Sequence, residues 1–432
     1  MPKLSVFQAV LLGVFGALAI SGVLIFALVV GGNAGSSTGP VIIWGTFDES
    51  AFRVVLRQAA EKDDRLMQVT YVQKDPLTYN AELTEALASG TGPDLFFMRQ
   101  DYAVRDKGKV FPIPYDRLSR EQFQGAFVES ADPYLSAEGI LAFPVLVDPF
   151  ILYWNKDMLS TAGYANPPQY WDEITGMAKS ITKRNDAGQI LKSTISFGEY
   201  RNVNYAKEIL SLLVLQAGGE VTATDTTGRL VAALVPRSGE RTQAAESALR
   251  FYTGFADPSQ IIYSWSRAFP ESRAAFGAGD LALYVGLGSE KTMIARTNPN
   301  LNFATAPMPQ IRTAERSTDA AYVYGVAVSR ATKNPTGSVI VASILAGAEV
   351  SEALSIVYGM PSAHRDVLSK SATGDELLLN RQAIISRAWT DPDPEKTNDV
   401  FRAMIENVTS GTLRLPEAVS RAHQELGQLL QI

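Results

Sequence analysis

The chain has 432 residues, 46% of them hydrophobic, enough to bury the cores of two or three domains without covalent staples. Its 39 basic and 45 acidic side chains leave a net charge of -6 and are mixed along the sequence, so no basic face recommends nucleic acid as a partner. The absence of cysteine excludes thiolate metal sites, a cysteine nucleophile and an acylated-cysteine anchor, while His364 and His423 alone offer little to a zinc centre or a Ser/His triad; no cofactor is expected.

From residue 4 to residue 47 there is no charged side chain, and residues 6–30 are almost wholly apolar. At about 1.5 Å per helical residue that run can cross a hydrocarbon core of about 30 Å, and it exceeds the roughly 7–15 apolar residues of a removable signal peptide. It reads as a retained transmembrane anchor, single-pass in the cell membrane, with residues 1–5 inside and the bulk of the chain outside; the alternative is a signal segment cut near Ala34. Residues 31–40 contain four glycines among small polar residues and read as a flexible tether. Thereafter residues 41–44 predict a buried strand and 49–60 a helix whose Phe52, Val55, Leu56 and Ala59 share a face. Residues 67–72, 79–88 and 94–98 continue as strand, helix and strand, and this alternation predicts a mostly parallel sheet covered by helices. Two apolar runs broken by Pro144 and Pro149 mark a crossing between lobes. Later helices are expected at 205–217, 242–255 and 272–277, strands at 281–285, 303–306 and 321–328, and a mainly helical tail from 335.

Several phrases, in order, resemble the family 1 extracellular solute-binding proteins, the group that includes maltose-binding and other sugar-binding receptors of ABC importers. They include Ile42-Ile-Trp44, Gly90-Thr-Gly-Pro-Asp94, Ala142-Phe-Pro-Val-Leu-Val-Asp148, Leu152-Tyr-Trp-Asn-Lys-Asp157, Leu215-Gln-Ala-Gly-Gly-Glu220, Ala306-Pro-Met-Pro309 and Tyr358-Gly-Met-Pro361. The resemblance runs from about residue 41 to 365 and implies an α/β, two-lobed periplasmic-binding-protein-like clamp of type II that closes on a ligand in its cleft. On that scheme residues 41–147 and 304–360 form lobe 1, residues 148–303 lobe 2, and 361–432 C-terminal helices packing on the lobes. It also implies a non-enzymatic monomer that binds a small molecule, a sugar above all, and hands it to ABC permease subunits. The family is usually tethered by a lipidated cysteine or released after signal cleavage; this chain, lacking cysteine, departs from the first route, and a proteinaceous anchor is the simplest replacement.

A sugar presents apolar C–H faces and a rim of hydroxyls, so its site needs flat aromatic rings beside carboxylates, amides or guanidinium groups. Trp44, Thr46, Phe47 and Asp48 follow the first strand, where the family's pattern puts ligand contacts; Asp48 equally suits a helix cap. Asp101 falls where sugar-binding relatives place a carboxylate, and Asp148 matches the family's acidic position between the lobes. Tyr200 and Asn202 lie where relatives supply an aromatic ring. Trp265, Tyr284 with Gly286, Tyr322 and Tyr324 are further ligand candidates, although large aromatics also pack in cores. Arg99 and Arg201 would suit an anionic ligand. Two other readings stay open: an anchored sensing or scaffolding domain, and a glycosidase-like use of Asp101 and Asp148, which nothing in the sequence sets about a scissile bond.

Overall fold

The computed structural model describes residues 38–236 and 243–431, so the expected anchor and nearly all of the tether lie outside the described residues. Within them no single helix is long and apolar enough to cross a membrane.

β1 (Val41–Gly45) leads into the helix Glu49–Ala60, which buries Phe52, Val55 and Leu56 along one stripe. Asp48 caps that helix, its carboxylate accepting from the Ala51 amide. β2 (Val69–Gln73) and, after the helix Tyr79–Ser89, β3 (Leu95–Arg99) flank β1 in parallel. β4 (Phe143–Asn155) is a single thirteen-residue strand. The middle of the chain then supplies β5 (Lys183–Arg184), β6 (Ile190–Ile195), the small hairpin β7 (Thr222–Thr224) and β8 (Leu230–Ala232), β9 (Leu281–Leu287) and β10 (Phe303–Ala306), and β11 (Asp319–Val328) and β12 (Ser386–Arg387) close the set.

The main sheet runs β2-β1-β3-β11-β4-β9-β6-β5, with β10 also on β4 and β12 also on β11. It is mixed rather than mostly parallel. β4 pairs antiparallel with β11, β9 and β10, and β11 pairs antiparallel with β3. Strand–helix alternation fixes direction only inside a βαβ unit, and β4 and β11 belong to none because each crosses the molecule. Pro144 and Pro149, which break the sequence into two apolar runs, do not break the strand. Pro144 stands beside the bulge at Tyr324/Gly325, and Pro149 comes one residue before pairing with β9 begins, positions where a missing N–H costs little.

Two hydrophobic cores lie on either side of this crossing. The first gathers Val41, Phe52, Tyr71, Phe97, Val147, Val326 and Leu345; the second gathers Phe150, Trp171, Phe197, Leu210, Tyr252 and Leu283. β4 feeds residues 145–147 to the first and 150–153 to the second, so Asp148 and Pro149 fall at the changeover. On β11, Tyr322 packs with the second core while Ala321 and Val323 pack with the first. The helix Pro394–Thr409 lays Val400, Phe401, Met404 and Ile405 on the second core, as does Leu415–Leu429 with Val419 and Leu426. Each such side chain contributes about 1.5–3 kcal/mol by leaving water.

Candidate functional site: the cleft between the lobes

A cavity of about 390 Å³ opens where the two lobes and the C-terminal segment meet. Arg99 and Tyr102 come from the end of β3, Tyr322 from the crossing strand β11, Tyr200, Asn204, Tyr205, Lys207 and Glu208 from the second lobe, and Pro394 and Asn398 from the start of the helix Pro394–Thr409. Its position past the carboxyl end of β3 is the usual one for a ligand of an open α/β sheet.

The charged groups of the wall are largely matched to one another. Arg99 Nε donates to Asp101 Oδ1 at 3.0 Å, and the guanidinium lies 3.9 Å over the Tyr322 ring. The Tyr322 hydroxyl, its ionisation pushed far up by burial, donates to Glu208 Oε1 at 2.8 Å. Lys207, 4% exposed, donates to Asp391 Oδ2 at 3.0 Å and to Thr397 and the Pro394 carbonyl at 3.4 Å. Burial pushes the Asp391 carboxyl up to about 6. Tyr200 donates to Asn398 Oδ1 at 3.0 Å. Tyrosines, hydroxyls and amides thus line the space, and the cations Arg99 and Lys207 are each held by a carboxylate, Asp101 and Asp391. Such a wall suits a neutral, hydroxyl-rich guest better than an anion. Arg201, at the edge, gives its Nε to Glu406 at 2.8 Å.

Of the residues expected from sequence, Tyr200 and Tyr322 line this cavity, and Asp101 stands behind its wall as the partner of Arg99. Asp148, Tyr284 and Gly286 assemble behind it, around the turn Gly288–Glu290. Asp148 is 1% exposed; the Ser289 amide donates to its Oδ1 at 3.0 Å and the Ser289 hydroxyl to its Oδ2 at 2.6 Å, and burial pushes the carboxyl up to about 7. Tyr284 donates to Glu290 Oε2 at 2.7 Å, and a Cβ at Gly286 would collide with that oxygen. Phe47 and Tyr324 form a separate aromatic group on the first lobe, ring centres 5.3 Å apart, with Tyr358 4.9 Å from Phe47. Thr46 is half-buried beside them and Asp48 is exposed at its helix cap. Trp44 is half-buried with the Lys74 ammonium 3.8 Å over its ring. Trp265 is fully buried, stacked on Phe269 at 4.6 Å, and donates its indole N–H to Asn202 Oδ1 at 3.1 Å. Asn202 in turn donates to the Ser266 and Phe269 carbonyls, so this pair braces a loop.

Sequence reasoning missed Tyr205, Lys207, Glu208 and Asn398. The first three sit at the start of the helix Ala206–Gln216, a loop-to-helix junction that could have been flagged by position alone. Asn398 lies 198 residues from Tyr200, and no local pattern announces it.

Two lobes joined by shared crossing strands, with a polar and aromatic cavity where they meet, define a clamp for a small solute. A family model described as bacterial extracellular solute-binding protein matches residues 56–377, and the chain belongs to that family. A curated binding protein of Brucella abortus is 23% identical over 249 residues, 57% of this chain and 55% of the relative. The chain thus spans about half the length of the curated relatives it matches. Among solved structures, a cyclic alpha-maltosyl-1,6-maltose binding protein from Arthrobacter globiformis is similar at a TM-score of 0.75 and 15% identity, covering 91% of this chain and 100% of that one. A cyclo/maltodextrin-binding protein complexed with maltotetraose gives 0.72 at 16% identity, with 92% and 99% covered. A solute-binding protein from Thermotoga lettingae bound with alpha-D-tagatose gives 0.68 at 19% identity, with 91% and 100% covered. These likenesses fix the fold, and the family and its neighbours are binding proteins.

Proposed function

We propose that the chain captures a carbohydrate in the interlobe cavity by closing its lobes, and delivers it to an ABC-type importer. In this reading the apolar segment 6–30 holds the binding domain at the outer face of the cell membrane. The observation that carries the carbohydrate reading is the cavity wall, where the aromatic side chains Tyr102, Tyr200 and Tyr322 stand beside the hydrogen-bonding groups of Asn204, Asn398 and Glu208. The near-balance of charge there argues against an anionic guest, and the sugars bound by the structural neighbours are in keeping with it.

Tyr200, Tyr322 and Asp101 then belong to the primary site. Asp148, Tyr284 and Gly286 support it from behind, Phe47, Tyr324, Thr46, Asp48 and Trp44 on the first lobe would extend it for a larger ligand, and Asn202 with Trp265 holds the bordering loop. A thermal-shift screen of sugars, polyols and sugar phosphates tests the reading. A ligand at 100 times its Kd stabilises by about 2.7 kcal/mol, and the expected hits are uncharged saccharides. Hits confined to phosphorylated or other anionic solutes would overturn the carbohydrate assignment.

A further inference from the structure

Tyr205 has the least ordinary backbone near the cavity. It is the sole non-glycine among the described residues with φ in the left-handed region, at 61°. An L-residue keeps that conformation only where its surroundings over-determine it. Here the ring is held edge-on to Phe150 at 5.2 Å and to Tyr322 at 6.4 Å, and the hydroxyl donates to Glu290 Oε1 at 2.7 Å. Tyr205 lines the cavity and immediately precedes the helix Ala206–Gln216, whose first turn carries Lys207 and Glu208 into the same wall.

Glu290 is 5% exposed and lies outside the cavity lining, yet it is seated by three donors. Besides Tyr205, Arg273 Nη1 donates to Oε1 at 2.9 Å and Tyr284 donates to Oε2. Gly286 is required for this seat, because a Cβ there would strike both Glu290 Oε2 and the Tyr284 ring. The residue before Glu290, Ser289, grips Asp148 through amide and hydroxyl. Two consecutive residues therefore tie the crossing strand β4 on one side to the cavity wall on the other.

We propose that Glu290 is a positioning residue for ligand capture, acting through Tyr205. It holds Tyr205 in its left-handed conformation, which sets the start of the helix against the ligand, and through Ser289 and Asp148 it joins that wall to the strand on which the lobes turn. The proposal rests on the reading of this cavity as a carbohydrate site.

The test is calorimetric titration of the full chain with the tightest binder among maltose, maltotetraose and tagatose, using Tyr205→Phe, Glu290→Gln, their double variant and Tyr200→Ala. Tyr205→Phe and Glu290→Gln should each raise Kd about tenfold, the scale of one hydrogen bond to a charged group. Because both act through one bond, the double variant should stay within about twofold of the weaker single one, whereas independent roles would multiply. Multiplying effects overturn the proposal. So does wild-type affinity in Tyr205→Phe, a deletion of one oxygen that tests it even if Glu290→Gln does not fold. If Tyr200→Ala weakens binding while those two do not, the cavity reading survives and the positioning role falls. If none of the three sugars binds, or Tyr200→Ala also binds normally, both fall together.

Discussion

Asp148 occupies the point of β4 where one core hands the strand to the other, and it is a carboxyl without a cationic partner among the described residues, held by Ser289. Its folded pKa of about 7 lies above the unfolded value near 3.8. The folded state therefore holds a proton that the unfolded state releases, and stability is lost as pH rises from about 4 to about 7, by on the order of 4 kcal/mol. Asp319, at the start of the other crossing strand, is fully buried, has one carboxylate oxygen without a hydrogen-bond partner among the described residues, and is likewise pushed up by burial. Asp148→Asn should flatten the pH profile of stability across that window, read as urea midpoints at pH 5 and 8; an unchanged slope would refute the assignment. This acid was legible in the sequence because a lone carboxylate between two apolar runs is carried into the interior with them, where it must find a partner. Glu290, Lys207 and Glu208 were not legible, since a charged residue after a strand or at a helix start usually faces solvent. Trp265 shows the reverse problem: an aromatic in a loop is visible in sequence, but whether its ring turns to the core or the cleft is decided by residues far away.

At the scale of elements, the 3.6-residue and two-residue periodicities located β1, the helix Glu49–Ala60, β3, β9 and β10 closely, because each is built on local apolar spacing. Strand direction and the continuity of β4 were not readable, because both depend on partners more than a hundred residues away. The role of the tail was also hidden. Its helix Pro394–Thr409 reads as generic amphipathic helix, yet it is fastened to the cavity wall by the buried Lys207–Asp391 pair and by Tyr200 on Asn398. Removing one member of a buried pair strands the other, so Lys207→Ala should cost about 3–5 kcal/mol in urea unfolding. Lys207→Met with Asp391→Leu should cost clearly less; equal losses would mean that packing, not uncompensated charge, sets the penalty.

For the whole molecule, β4 and β11 are continuous through both cores, which favours bending at Asp148/Pro149 and Tyr322 over sliding. Among the described residues an ion pair joins the first lobe to the tail helix near the cavity, Arg105 Nη1 to Glu395 Oε1 at 2.8 Å, with the Glu395 side chain well exposed. Glu395→Ala should therefore change stability by under about 1 kcal/mol. Small-angle scattering should show a smaller radius of gyration on adding the bound sugar, and an unchanged radius would argue against closure.

The most direct measurement is a calorimetric titration of the full chain against a panel of neutral saccharides, repeated with Tyr200→Ala. We expect one saccharide class to bind at one site per chain and Tyr200→Ala to weaken it by about 1–3 kcal/mol. Saccharide binding that Tyr200→Ala leaves untouched would contradict the cleft as its site, and silence from every saccharide would contradict the carbohydrate reading itself.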